Sequence, residues 1–149
     1  MNTIIKLEHS LPEQLELFVK MESNSDTKKF IIPYSLSKHQ IEFHSSNIIY
    51  LSIIYEDNLC GFFIINNDPE TKSVEFRRIV VSKKGIGIGQ AAIQKMHIYC
   101  KEILNAESVW LDVFEHNVRG KYIYEKLGYQ KFKSEPYNSN ILNYYRKKI

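Results

Sequence analysis

The sequence is poor in cysteine, with two among 149 residues, Cys60 and Cys100, and neither belongs to a C-x-x-C pair or a cluster with histidine. That argues against a disulfide framework and a zinc site, and it suits a reducing cytoplasm. Glycine and proline are scarce as well, six and four, too few for a collagen-like or low-complexity chain. No apolar run reaches the roughly 18–20 residues that cross a bilayer. Glu8 interrupts what a secretory signal would keep apolar. Neither sign of charge dominates: 20 Lys and Arg against 17 Asp and Glu leave +3, far from the cationic stripe of a nucleic-acid binder. The Arg146-Lys147-Lys148 cluster reads as a solvated terminus. What is present is ordinary globular composition, 44% hydrophobic and 25% charged. A chain of this length buries roughly 70% of its unfolded surface as one domain. With no repeat and no linker, residues 1–149 are expected to form a single domain.

Residues 3–8 read as a short strand. Ser10-Leu11-Pro12-Glu13 supplies an N-cap, a first-turn proline and an acid three residues after the cap, a helix start with Leu15, Phe18 and Val19 on its apolar face. Residues 24–29 read as a polar loop, and Ser37 with Gln40 as caps of a second helix through about His44. The β-branched and aromatic runs 48–55 and 59–65 flank Asp57-Asn58 as a hairpin, and a strand at 74–81 comes next. Residues 90–104 have helical periodicity, 109–114 strand character, and Asn117 caps a helix ended by Gly128. Residues 129–133 and 141–146 close as strands. The order βααβββαβαββ predicts an α/β (α+β) domain. Its central sheet would be mixed and mostly antiparallel, with six or seven strands flanked by about four helices. Four of the five histidines, His39, His44, His97 and His116, are scattered without metal-ligand spacing, and His97 is expected at the surface or an edge.

Between the strand at 74–81 and the next helix runs Lys84-Gly85-Ile86-Gly87-Ile88-Gly89. Glycines let backbone approach a ligand closely, and free N–H groups opening a helix make an anion site suited to phosphate. A triphosphate loop needs G-x-x-x-x-G-K-S/T, and no Lys-Ser or Lys-Thr follows Gly89. A dinucleotide loop needs G-x-G-x-x-G and a second βαβ half, both missing here. Read as K-x-x-G-x-G from Lys84, the stretch resembles the R/Q-x-x-G-x-G/A loop of the GNAT family of N-acetyltransferases, with Lys84 where Arg or Gln is usual. The run from Asn117 to Tyr129 resembles that family's N-x-x-A-x-x-x-Y-E-K-x-G-F/Y signature, with Gly120 in place of the common Ala. The resemblance covers residues 59–132 well.

The resemblance implies a GNAT-type sheet and transfer of the acetyl group of acetyl-CoA to a primary amine in a ternary complex, without a metal. The backbone of Ile79, Val80 and Val81 would pair with the pantetheine arm. Amides from Lys84, Gly85, Ile86, Gly87, Ile88 and Gly89, with Gln90 at the helix start, would take the pyrophosphate. Asn117 matches a position that contacts the pantetheine or thioester, and Tyr124 the position of the general acid. Glu75, six residues before Val81, matches the base of the histone-acetylating branch. Period-two alternation places residues 75, 77, 79 and 81 on one face of their strand. Asp112 and Glu115 are the other acids within reach of the site by sequence order.

The acceptor stays open at this level: a small-molecule amine or a protein amine. Residues 30–46 and 134–140 would build its pocket, with Phe30, Tyr34, Phe43 and Tyr137 either lining it or belonging to the core, the core being the favoured place for Phe43. A +3 chain offers no large acidic surface to a polyamine. Neither nucleic acid nor membrane is an expected partner, a cytoplasmic monomer or homodimer is expected, and a non-catalytic acetyl-CoA-binding regulatory module is the alternative.

Overall fold

Strand β2 (Ile48–Tyr55) is apolar on both faces because it lies inside a sheet covered on both sides. In the computed structural model, which describes residues 4–82 and 86–149, seven strands run in the order β1-β2-β3-β4-β5-β7-β6. The others are β1 (Ile5–His9), β3 (Asn58–Asp68), β4 (Ser73–Val81), β5 (Ser108–Phe114), β6 (Gln130–Tyr137) and β7 (Asn140–Lys148). Every neighbouring pair is antiparallel except β4 with β5. The mixed, mostly antiparallel sheet is the one expected.

One layer comprises α1 (Leu15–Glu22), the single turn α2 (Ser25–Lys28) and α3 (Leu36–Phe43). There Leu15, Phe18 and Met21 pack on Tyr50, Phe62, Ile64 and Val80. The other layer comprises α4 (Ile88–Glu102) and α5 (Val118–Lys126). There Ala92, Met96 and Cys100 pack on residues such as Phe63, Val109 and Leu111. Fully burying each large apolar side chain contributes about 1.5–3 kcal/mol. No described helix is long and apolar enough to cross a membrane.

Several local expectations shift. Ser10 caps no helix: its buried hydroxyl meets that of Ser52 at 2.7 Å, while Gln14 Oε1 accepts from the Leu11 amide at 2.8 Å ahead of a short 3-10 turn (Pro12–Gln14). Residues 24–29 are not all loop, because Asn24 Oδ1 accepts from the Asp26 amide and starts α2. Ser35, not Ser37, caps α3 by accepting from the Lys38 amide at 3.1 Å. The hairpin turn falls on Glu56-Asp57, both at positive φ (51° and 63°), one residue earlier than Asp57-Asn58. His97, expected at the surface or an edge, is partly buried, 2.6 Å from the Tyr129 hydroxyl, and burial with Lys147 lowers its pKa to about 4.

Two irregularities in β4 shape the sheet around the glycine loop. The register passes from Ile64↔Arg78 to Ile65↔Phe76, leaving Arg77 as an extra residue in a bulge. Val74 and Phe76 therefore face the α4–α5 layer, whereas Val80 faces the α1–α3 layer, where Arg78 meets Glu22 of α1. The single alternating face expected for residues 75, 77, 79 and 81 does not exist. Glu75 shares its face with Arg78 and Val80, and Ile79 and Val81 lie opposite. The second irregularity is that β4 meets β5 only at Ser73↔Ser108, Val74↔Val109 and Glu75↔Trp110.

Candidate active site

Beyond Glu75 the strands β4 and β5 separate, and a cleft of about 910 Å³ opens between them. Backbone alternation decides what β4 offers it. The Ser82 amide bonds the Cys60 carbonyl of β3 at 2.8 Å, so the peptide groups of Val80 also turn toward β3. Those of Ile79 and Val81 turn the other way, into the cleft that both residues line. Val80, grouped with them on the resemblance, keeps its backbone in the ladder and its side chain in the α1–α3 core.

The cleft continues to the start of α4. Gly87 holds φ 81°, a left-handed conformation that favours glycine, and caps the helix without a side-chain hydrogen bond. The first-turn amides after it have no acceptor within the helix and lie at its positive end. A Cβ added to Gly89 would meet nothing within 4 Å, so this end of the cleft has room for an anion. Gly87, Ile88, Gly89 and Gln90 all line it, and Ile86 precedes it as an exposed side chain. Lys84 and Gly85 lie outside the described residues.

From β5 and α5 come the polar side chains of the middle. Asn117 caps α5, its Oδ1 accepting from the Gly120 amide at 2.9 Å, and it also lines the cleft. A Cβ at position 120 would lie 2.7–2.9 Å from the Asn117 side chain as it stands, so a larger residue there requires that side chain to shift. Tyr124 lies in the cleft wall edge-on to Phe76 and Tyr129, with ring centroids 5.8 and 5.9 Å away. Burial, then Asp112, pushes its pKa up to about 12. Among the described residues nothing hydrogen-bonds its hydroxyl.

Glu75 is engaged on both oxygens: Arg77 Nη2 donates to Oε1 at 3.0 Å and Nε to Oε2 at 3.3 Å. Arg77 also reaches Glu42 of α3 at 3.2 Å. Asp112, next along β5 on the same face of the sheet, is open to the cleft and has no hydrogen bond or ion pair among the described residues. The protein mass around the cleft and the nearby Glu75 carboxylate raise its pKa, against the opposing effect of Arg77. Glu115, the third acid considered, is exposed and tied to Lys121 and Asn143, which hold its pKa down.

Some of this surface was not foreseen. Buried Glu22 binds Arg78, His39 at 2.7 Å and the Tyr34 amide at 3.1 Å, while His39 lies 2.6 Å from the Tyr50 hydroxyl. Arg78 in turn donates to the Ile32 carbonyl at 2.7 Å and stacks on the Tyr34 ring. This network holds Tyr34 and Ile32 in the cleft wall, and nothing local in sequence marks it. Phe43 packs against the core beside Tyr50, the position favoured for it over pocket lining.

A family model described as the acetyltransferase (GNAT) family matches residues 12–129. No curated protein matches the chain. Among solved structures, spermidine N-acetyltransferase from Vibrio cholerae in complex with CoA and spermine superposes with a TM-score of 0.84 at 17% identity, over 97% of this chain and 95% of that one. A dodecameric structure of the Vibrio cholerae enzyme in an intermediate state gives 0.79 at 17% identity, over 97% and 93%. A domain from Methanocaldococcus jannaschii gives 0.82 at 19% identity, over 99% and 100%. At such identities the likeness is one of fold.

Proposed function

The chain belongs to the GNAT family of acetyltransferases, acetyl-CoA-dependent N-acyltransferases, and on that premise we propose that it moves the acetyl group to an amine by direct attack within a ternary complex. The observation that carries this reading is the separation of β4 from β5, which leaves the backbone of Ile79 and Val81 open along a cleft leading to the start of α4. In it Ile79 and Val81 hold the pantetheine arm as an added strand. The amides of Ile88 and Gly89, with Gln90, take the pyrophosphate at the start of α4.

Acetyl-CoA supplies an acyl carbon activated as a thioester; attack by a neutral amine forms the C–N bond, breaks the C–S bond and leaves a thiolate. The protein's tasks are protonic. At pH 7 an alkylammonium is neutral in only about one molecule in 2,500, so a group that removes its proton raises the rate. Glu75 occupies the family's position for that base, yet taking a proton there would break its two-oxygen pair with Arg77. Asp112 has no such pair, and its raised pKa makes it the better acceptor. Glu75 then serves to hold Arg77.

Tyr124 faces the departing sulfur. With its pKa near 12, full transfer to a thiolate whose acid has a pKa of about 8.5 is uphill by roughly 5 kcal/mol. The phenol therefore acts first as a hydrogen-bond donor to the sulfur, and it stays protonated throughout the working range. Turnover measured by thiol release from acetyl-CoA with an amine panel tests this. Tyr124→Phe is expected to lower kcat at least about tenfold with acetyl-CoA affinity little changed. An unaltered kcat removes Tyr124 from the mechanism.

A further inference from the structure

The acceptor end of the cleft has an aromatic wall built from elements far apart in sequence. The Phe30, His116 and Phe114 rings succeed one another at 5.7 and 5.3 Å with interplanar angles of 27° and 17°. Tyr137 meets Phe114 edge-on at 5.9 Å. His116 Nε2 lies 3.0 Å from the Lys29 carbonyl, so the segment after α2 is tied to the loop after β5. Phe30, Phe114 and Tyr137 all line the cleft.

Phe114 and Asp112 stand two apart on β5 and share a face, which separates them by roughly 7 Å along the strand. That spacing suits an ammonium joined to a flat ring by a short alkyl chain. An unpaired carboxylate meets the ammonium, and the ring lies against the wall.

Charge narrows the class further. Of the acids around this end, Glu22 is taken by Arg78 and His39, and Glu42 and Glu75 by Arg77. The cleft-lining acids left without an ion pair among the described residues are Asp112 and Asp26. Lys29 and Lys38 also line this end, with ammonium groups resting on the Phe30 and Tyr34 rings at 5.4 and 4.4 Å, and they pair with no carboxylate among the described residues. One acid inside the cleft welcomes one ammonium. Two lysines against one further aspartate repel a second and a third.

We infer that the acceptor is an arylalkyl monoamine, seated with its ammonium at Asp112 and its ring against the cleft-lining Phe30, Phe114 and Tyr137, and that Lys29 and Lys38 turn polyamines away. This rests on the acetyl-transfer reading and separates the chain from the polyamine specificity named for its structural neighbours.

The test compares 2-phenylethylamine with spermidine as acceptors for the full chain, reading kcat/KM by thiol release, with acetyl-CoA binding followed separately by thermal shift. Expected are a preference of at least about tenfold for 2-phenylethylamine, and a swing of at least about tenfold toward spermidine in the Lys29→Glu/Lys38→Glu double variant. Both lysines are exposed, so folding is not at stake. Asp112→Asn is expected to raise the KM for 2-phenylethylamine at least about tenfold. A wild-type preference for spermidine, an unmoved ratio in the double variant, or acetyl-CoA binding with neither amine accepted overturns the proposal. Absence of acetyl-CoA binding overturns the acetyl-transfer reading instead.

Discussion

Asp112 and Glu75 are chemically alike and lie on the same face of the same cleft, yet their neighbours differ. Arg77 occupies both Glu75 oxygens, whereas Asp112 has desolvation and like charge around it, which favour its protonated form. A base with a raised pKa loses function as pH falls through that pKa. The acid limb of kcat/KM is therefore expected above the usual aspartate range, and Asp112→Asn should flatten it while Glu75→Gln leaves its position in place. A limb that moves with Glu75→Gln and persists in Asp112→Asn would return the role to Glu75. Sequence order suggests both acids; only the contacts of Arg77 tell them apart.

At the level of elements, a bulge and a glycine determine the geometry. The extra residue Arg77 rotates half of β4, so that Arg77 and Arg78, adjacent in sequence, both reach partners in the α1–α3 layer, Glu42 and Glu22. Period-two reasoning fails there because a bulge has no local signature in a run such as Glu75-Phe76-Arg77-Arg78-Ile79. Across from this strand, a Cβ on Gly61 would stand 2.2 Å from the Val80 carbonyl oxygen, so β3 and β4 would have to part. Gly61→Ala is expected to cost about 1–3 kcal/mol and lower Tm by several degrees. It should also weaken acetyl-CoA binding, since Val80 lies between the two residues that offer free backbone. A variant with wild-type Tm would show that the sheet absorbs the methyl group without moving. What is legible in the sequence at this scale is element type: all seven strands, α1, α3, α4 and the helix after Asn117 come from periodicity and caps. Turn placement and the caps at Gln14, Asn24 and Ser35 are not legible, because several Ser, Asn and Gln residues compete locally and tertiary contacts, such as Ser10 with Ser52, choose between them.

For the whole molecule, buried phenols set an alkaline boundary. Burial raises the pKa values of Tyr50, Tyr124, Tyr129 and Tyr145 above the ordinary value of 10, with Tyr124 at about 12. The unfolded chain ionises these groups first, so their contribution to stability is intact below about pH 10 and is lost as pH rises through the folded values. Ultraviolet titration of tyrosine alongside circular dichroism is expected to show these phenols ionising only as the fold is lost. Full ionisation near pH 10 with the fold intact would contradict their burial. The same scale explains why the site is only half readable from sequence. The phosphate end and Tyr124 lie in two compact motifs, whereas the acceptor wall joins residues 30, 114, 116 and 137 through the fold alone.

The central claim, that the cleft between β4 and β5 holds acetyl-CoA with its phosphates at the start of α4, is tested most directly by thermal shift. The comparison is between the wild-type chain and Gly89→Asp, with acetyl-CoA, CoA and NAD. Position 89 is open, and an aspartate in a first helical turn is compatible with folding, so the variant should differ mainly in repelling phosphate. Ligand at a hundred times its Kd adds about 2.7 kcal/mol, a rise of several degrees for a chain of this size. The account predicts that rise with acetyl-CoA and CoA but not NAD in the wild type, and its loss in Gly89→Asp. No shift with either CoA form on folded wild-type protein, or an equal shift in the variant, would contradict it.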